Sequence, residues 1–281
     1  MPRSEALQKL VQEGSNVQEH KHEKSNRAWL GKSLGDLNDA DLVNTAQARQ
    51  LPFTSAPQRI SHNWKQDSRQ GLWHLGRIRT FLSHISAEKV FAAEVSEALY
   101  SFGLSGFVAH EDIEPGSLWE ATLQQSIGEM ELLVALLHEG YHASNWTDQE
   151  VGAAVGRGLQ VIPVTFPNGQ VPYGFIGKFQ TLKAGRMCAR QLAKQIAILA
   201  ARGSTTAQFD YADVCVELLE AASSYDGAAD IAEVIDSVPV LNGALVDRVE
   251  AARYINDQIG GRSGLPVWQR IMKKHRSAAL S

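Results

Sequence analysis

Cysteine is nearly missing from this 281-residue chain, which has only Cys188 and Cys215, far apart and without CxxC spacing. Such sparse thiols give neither a disulfide framework nor a zinc site, and they suit a reducing cytoplasm. Long apolar runs are missing too. No window approaches the ~18 uninterrupted apolar residues of a membrane span, and the opening Met-Pro-Arg-Ser-Glu-Ala-Leu-Gln-Lys-Leu is too polar for a signal-peptide core. The expectation is a cytoplasmic protein with no membrane partner. Basic excess is also lacking: the formal charge is −4, with both signs interspersed, so no stripe exists to neutralise phosphates along duplex nucleic acid. Glycine-rich phosphate fingerprints are absent as well. Gly152, Gly156 and Gly158 lie within and after a helical stretch and not between a strand and a helix, which predicts close helix packing instead. No metal is expected, because the ligand-type run Glu19-His20-Lys21-His22-Glu23 sits in a charged segment that reads as a solvated helix face.

Three regions emerge from what is present. Residues 1–72 are polar and partly helical, with weak periodicity near Ala6 to Val11 and from Leu37, and a linker around Pro52 and Pro57. Residues 73–186 alternate strand and helix. Ile78 to Ser83, Gly106 to Ala109, Glu131 to Leu137 and Gln160 to Phe166 read as strands, the last rich in β-branched residues. Between them Phe91, Val95, Ala98 and Leu99 mark one helix face, and Trp119, Leu123 and Ile127 another, with Ser117 and Glu120 spaced as a capping box. Near-continuous apolar strands separated by helices predict a parallel sheet buried on both faces, an α/β fold of flavodoxin-like layout. In such a sheet ligands bind beyond the carboxyl ends of the strands. Residues 187–281 form a helical C-terminal region with predicted helices at Gln191–Ala201, Tyr211–Ala222, Ala229–Ile235, Leu245–Ile259 and Val267–Lys274, Gly260 and Gly261 stopping the fourth.

The stretch Ile78 to Ala184 resembles a TIR domain, especially the bacterial ones. Phe81-Leu82-Ser83-His84 is similar to the family's opening strand and turn, with Glu88 at a position usually occupied by Asp. Asp112 to Trp119, containing Ile113, Pro115 and Gly116, resembles the BB loop. Leu132 to Leu137 followed by Tyr141, Ser144 and Trp146 resembles the third strand and its exit, and Glu150 then falls on the family's catalytic glutamate.

The resemblance implies a substrate and not a cofactor: TIR enzymes cleave NAD at the nicotinamide–ribose bond, giving ADP-ribose or a cyclised product used in antiphage defence or NAD depletion. Glu150 would be the catalytic carboxylate, acting on an oxocarbenium-like state that needs no proton donor because nicotinamide leaves as a neutral base. Trp146, one helical turn earlier, would offer NAD a flat face. Ser83, His84, Lys89, Trp119 and Tyr173 would line the binding crevice, with Phe175 either beside Tyr173 or capping the sheet end; His110 would shape the loop. Ser83 and His84 make no nucleophile–base dyad, since adjacent strand residues point to opposite faces. Asp112, Pro115 and Gly116 would form the loop through which TIR domains self-associate, while the flanking helices would serve a partner protein or a nucleotide signal. Two other readings compete: a non-catalytic adaptor working through TIR–TIR contacts, and an enzyme similar to nucleoside deoxyribosyltransferases. Thr147 and Glu150 also match a capping box, which would make Glu150 structural.

Overall fold

The computed structural model describes residues 69–109, 119–203 and 206–278. The expectations for residues 1–68, for the Ser117 capping box and for His110, Asp112, Pro115 and Gly116 lie outside these residues. A two-residue antiparallel hairpin, β1 (Arg69–Gln70) and β2 (Trp73–His74), leads into a five-stranded sheet. Its strands are β3 (Ile78–Ser83), β4 (Leu104–Phe107), β5 (Leu132–Leu137), β6 (Gln160–Thr165) and β7 (Leu182–Lys183), in the order β4-β3-β5-β6-β7 and parallel throughout. This is the flavodoxin-like α/β sheet that the sequence predicts.

β5 reads Leu-Leu-Val-Ala-Leu-Leu and is buried at every position, as a central strand covered on both faces must be. Its period of two divides the core. Leu132, Val134 and Leu136 face one apolar cluster, while Leu133, Ala135 and Leu137 face another with Phe81, Phe107 and Tyr141. The first cluster takes in helix α1 (Lys89–Tyr100), whose Ala92, Val95 and Leu99 recur at helical spacing. The second takes in α2 (Trp119–Glu129) and α3 (Thr147–Gly156).

Helices α4 (Ala189–Arg202), α5 (Thr206–Glu220), α6 (Tyr225–Ser237), α7 (Gly243–Ile255) and α8 (Gly264–Ala278) follow. Their apolar faces join the first cluster, so the sheet and the helices of residues 187–281 share one continuous core. Ser224 and Asn242 cap α6 and α7 by accepting the backbone N–H of Gly227 and Leu245.

Three local expectations need correction, and one strand goes unpredicted. β4 begins at Leu104, two residues early, because its register pairs Ile78 with Leu104. The short edge strand β7 has no apolar run that would announce it. α7 stops at Ile255 and not at Ile259. Asn256 turns extended there (φ −119°, ψ 105°), and its side chain both accepts from Gln258 N–H and donates to the carbonyls of Leu219, Glu220 and Ala222 at the end of α5. Gly260 and Gly261 therefore close only a short 3-10 turn. Finally, Thr147 makes no capping box. It is the first residue of α3, its hydroxyl donates to the Tyr141 carbonyl at 2.6 Å, and the Glu150 carboxylate is engaged elsewhere.

Gly103 ties the sheet to the helical region. Its backbone is left-handed (φ +80°), and a Cβ there would lie 2.6 Å from Val214 Cγ1 of α5. Gly103→Ala is expected to destabilise the protein by roughly 2–4 kcal/mol, combining left-handed strain with overpacking. Chemical unfolding measures this; an unchanged midpoint would mean that α5 does not pack against this turn.

Candidate active site

β3 pairs with β4 on one side and with β5 on the other, so the chain leaves the sheet in opposite directions at the carboxyl ends of β3 and β5. A crevice opens at such a switch point. Ser83, the last residue of β3, stands there with no exposed surface. After β5 the chain turns back through Gly140, whose φ of +84° only glycine adopts without strain. That reversal brings the Tyr141 ring beneath the sheet end, fully buried. Glu150 comes from the first turn of α3 and is 6% exposed.

Three side chains meet at this point. Ser83 Oγ donates to Glu150 Oε2 at 2.6 Å and lies 2.5 Å from the Tyr141 hydroxyl. Burial pushes the Glu150 carboxyl up to about 7, against the Ser83 hydrogen bond, which favours the ionised form. Burial likewise raises the Tyr141 phenol far above its ordinary range, so it stays protonated. The arrangement offers a carboxylate that changes charge near neutrality at the mouth of a parallel sheet, as sites of acid, base or charge-stabilising chemistry do.

Trp146 precedes α3 as its N-terminal flanking residue. Its carbonyl accepts Glu150 N–H at 3.0 Å, and its indole is 40% exposed. A second cluster lies alongside. Asp148 accepts the Tyr173 hydroxyl on Oδ2 at 2.7 Å and pairs with His142 Nδ1 through Oδ1 at 2.8 Å, and the His142 and Tyr173 rings meet edge to face. Tyr173 is thereby tethered to the first turn of α3, although it remains 57% exposed.

The other residues predicted to line the crevice are distributed differently. Ser83 is not a lining residue, since its hydroxyl is turned inward to Glu150 and Tyr141. His84 is buried with Nδ1 2.9 Å from the Leu82 carbonyl, and Lys89 is exposed at the start of α1. Trp119 opens α2, its side chain outside the described residues. Phe175 is exposed and does not cap the sheet. Sequence reasoning assigned no role to Tyr141, His142 or Asp148. The signal for Tyr141 was a glycine before an aromatic just past an apolar strand, which many turns share. Among the described residues no group of three metal-binding side chains occurs, and no helix is long and apolar enough to cross a membrane.

Residues 80–196 match the sequence model of the TIR domain, and the chain carries that domain there. Among solved structures, the TIR domain of the Toll-related Receptor TRR-2 from the lower metazoan Hydra magnipapillata is similar at 16% identity and a TM-score of 0.36. That alignment covers 45% of this chain and 99% of the other. No curated protein matches the chain.

Glu150 bears on stability with a definite sign. Its folded value lies above the usual 4.5, so the folded state binds the extra proton and the contribution to stability is lost as pH rises through about 7. A rise from 4.5 to about 7 corresponds to roughly 3 kcal/mol. Glu150→Gln is expected to match wild type near pH 4 and to exceed it by up to roughly 3 kcal/mol near pH 8. Unfolding free energies of both proteins across pH check this; a difference between them that does not change with pH would contradict the upward shift of Glu150.

Proposed function

We propose that the protein is a TIR-domain NAD glycohydrolase of the bacterial type, with Glu150 as the catalytic carboxylate. The observation that carries this reading is a buried carboxylate at the switch point of the sheet, hydrogen-bonded by Ser83 and pushed up by burial to about 7, four residues after the exposed Trp146. In NAD the bond from the ribose C1′ to the nicotinamide nitrogen breaks heterolytically. Its electron pair goes to the nicotinamide ring, which leaves neutral, and positive charge develops on the sugar. An ionised Glu150 stabilises that charge most strongly where water is excluded. Water then adds at C1′ and loses a proton, giving ADP-ribose, or an atom of the same molecule adds and closes a ring. Trp146 supplies a flat surface at the rim for one of the bases. The product, linear or cyclic, fits a role in antiphage signalling or NAD depletion.

A second reading is a non-catalytic adaptor that acts through contacts between TIR domains, which commonly self-associate. The inward turn of Glu150, with 6% of its surface exposed and Ser83 bound to it, favours this alternative.

Incubation with NAD, with nicotinamide release followed by chromatography over a wide range of protein concentration, separates the two. Wild type is expected to release nicotinamide, and Glu150→Gln to lose at least about 100-fold in rate, the scale of losing one charge-stabilising group. Trp146→Ala is expected to lose more than Trp146→Phe, because a flat apolar face is what the site needs. No release from a folded wild type at any concentration, with self-association seen by light scattering, would favour the adaptor. Parallel reactions with nucleosides test deoxyribosyl transfer.

A further inference from the structure

The contact between Ser83 and Tyr141 has a direction that the hydrogens decide. A serine hydroxyl carries one hydrogen and a phenol one, while an ionised carboxylate carries none. With Glu150 ionised, two hydrogens serve the two contacts, Ser83 to Glu150 at 2.6 Å and Tyr141 to Ser83 at 2.5 Å. Since Ser83's hydrogen lies on Glu150, Tyr141 must be the donor in the second. Protonating Glu150 adds a third hydrogen to the same two contacts. Tyr141 has no other side-chain hydrogen bond among the described residues, and neither has Glu150, so one hydrogen then finds no protein acceptor among them. Burial favours protonation of Glu150, and the chain of hydroxyls opposes it.

We propose that Tyr141 is a positioning residue for Glu150: its phenol donates to Ser83, fixes Ser83's single hydrogen on the carboxylate, and so keeps Glu150 in its ionised form. Donation by Tyr141 also polarises the Ser83 hydroxyl into a better donor, an effect that low local dielectric strengthens. The phenol is held in place from two sides. Gly140 sets the chain reversal, and Thr147 Oγ1 grips the Tyr141 carbonyl from the start of α3, the helix that bears Glu150. Turn and helix are therefore tied together at the residues that supply two of the three oxygens. The ionisable groups beside this cluster have other commitments: Asp148 with His142 and Tyr173, and His84 with the Leu82 carbonyl. Among the described residues, Ser83 is the one side chain hydrogen-bonded to this carboxyl, and Tyr141 acts through it. The catalytic meaning of the role rests on reading Glu150 as the reactive carboxylate; the hydrogen count does not.

The test is the titration of the Glu150 carboxyl carbon by NMR in 13C-glutamate-labelled full-length protein, the resonance being assigned by its loss in Glu150→Gln. Ser83→Ala is expected to raise the midpoint by roughly one pH unit, a tenfold change in proton binding, and Tyr141→Phe by about half as much. Ser83→Thr, which keeps the hydroxyl, is expected to titrate as wild type. Because Tyr141→Phe removes the hydroxyl from a fully buried position, a second measurement leaves the hydroxyl in place. Biosynthetic replacement of the six tyrosines by 3-fluorotyrosine makes the phenol a stronger donor and is expected to lower the midpoint. Wild-type midpoints in both Tyr141→Phe and the fluorotyrosine protein would overturn the proposal. Shifted midpoints in a protein that never cleaves NAD would uphold it and set aside the glycohydrolase reading alone.

Discussion

The hydrogen bond from Ser83 Oγ to Glu150 Oε2 is the contact on which the account of this protein turns. It joins the end of the first long strand of the sheet to the first turn of α3, across the switch point where a parallel α/β sheet opens. Two forces compete on the same carboxyl. Burial holds its proton, and the Ser83 hydroxyl draws it toward the ionised form. Their balance near neutrality is what distinguishes Glu150 from a carboxylate that merely caps a helix. Such tension carries a cost in stability, as functional sites commonly do.

The rest of the fold serves to hold that contact still. β5, apolar at all six positions, fixes the sheet centre and delivers the chain to Gly140 and Tyr141. The helices of residues 187–281 fill the opposite face of the sheet and share its core, so they brace the strands without approaching Glu150's own cluster. Tyr211, fully buried on α5, donates to the Phe102 carbonyl beside Gly103 and locks that brace to the turn before β4. Stability and site are thus placed on opposite faces of one sheet.

Much of this was legible in the sequence, for identifiable reasons. β3, β5 and β6 could be read because both their faces are apolar, and α1 because its apolar residues recur at helical spacing. Glu150 and Trp146 could be singled out through the family resemblance and their four-residue separation. β7 could not be read, as two residues on a sheet edge have no pattern. The Thr147 and Glu150 capping box failed because each side chain finds a tertiary partner, the Tyr141 carbonyl and Ser83, that a local pattern cannot reveal. Tyr141 was missed for the same reason: its hydroxyl matters only once Gly140 has folded it back toward β3.

The central claim is that ionised Glu150 is the group on which NAD cleavage depends. It is tested most directly by comparing two midpoints in one protein sample: that of nicotinamide release, as kcat/KM, against pH, and that of the Glu150 carboxyl titration. The account predicts that release rises with pH and that the two midpoints coincide, near 7 for wild type. A rate that stays level while the carboxyl titrates, or that falls as it ionises, would contradict the account.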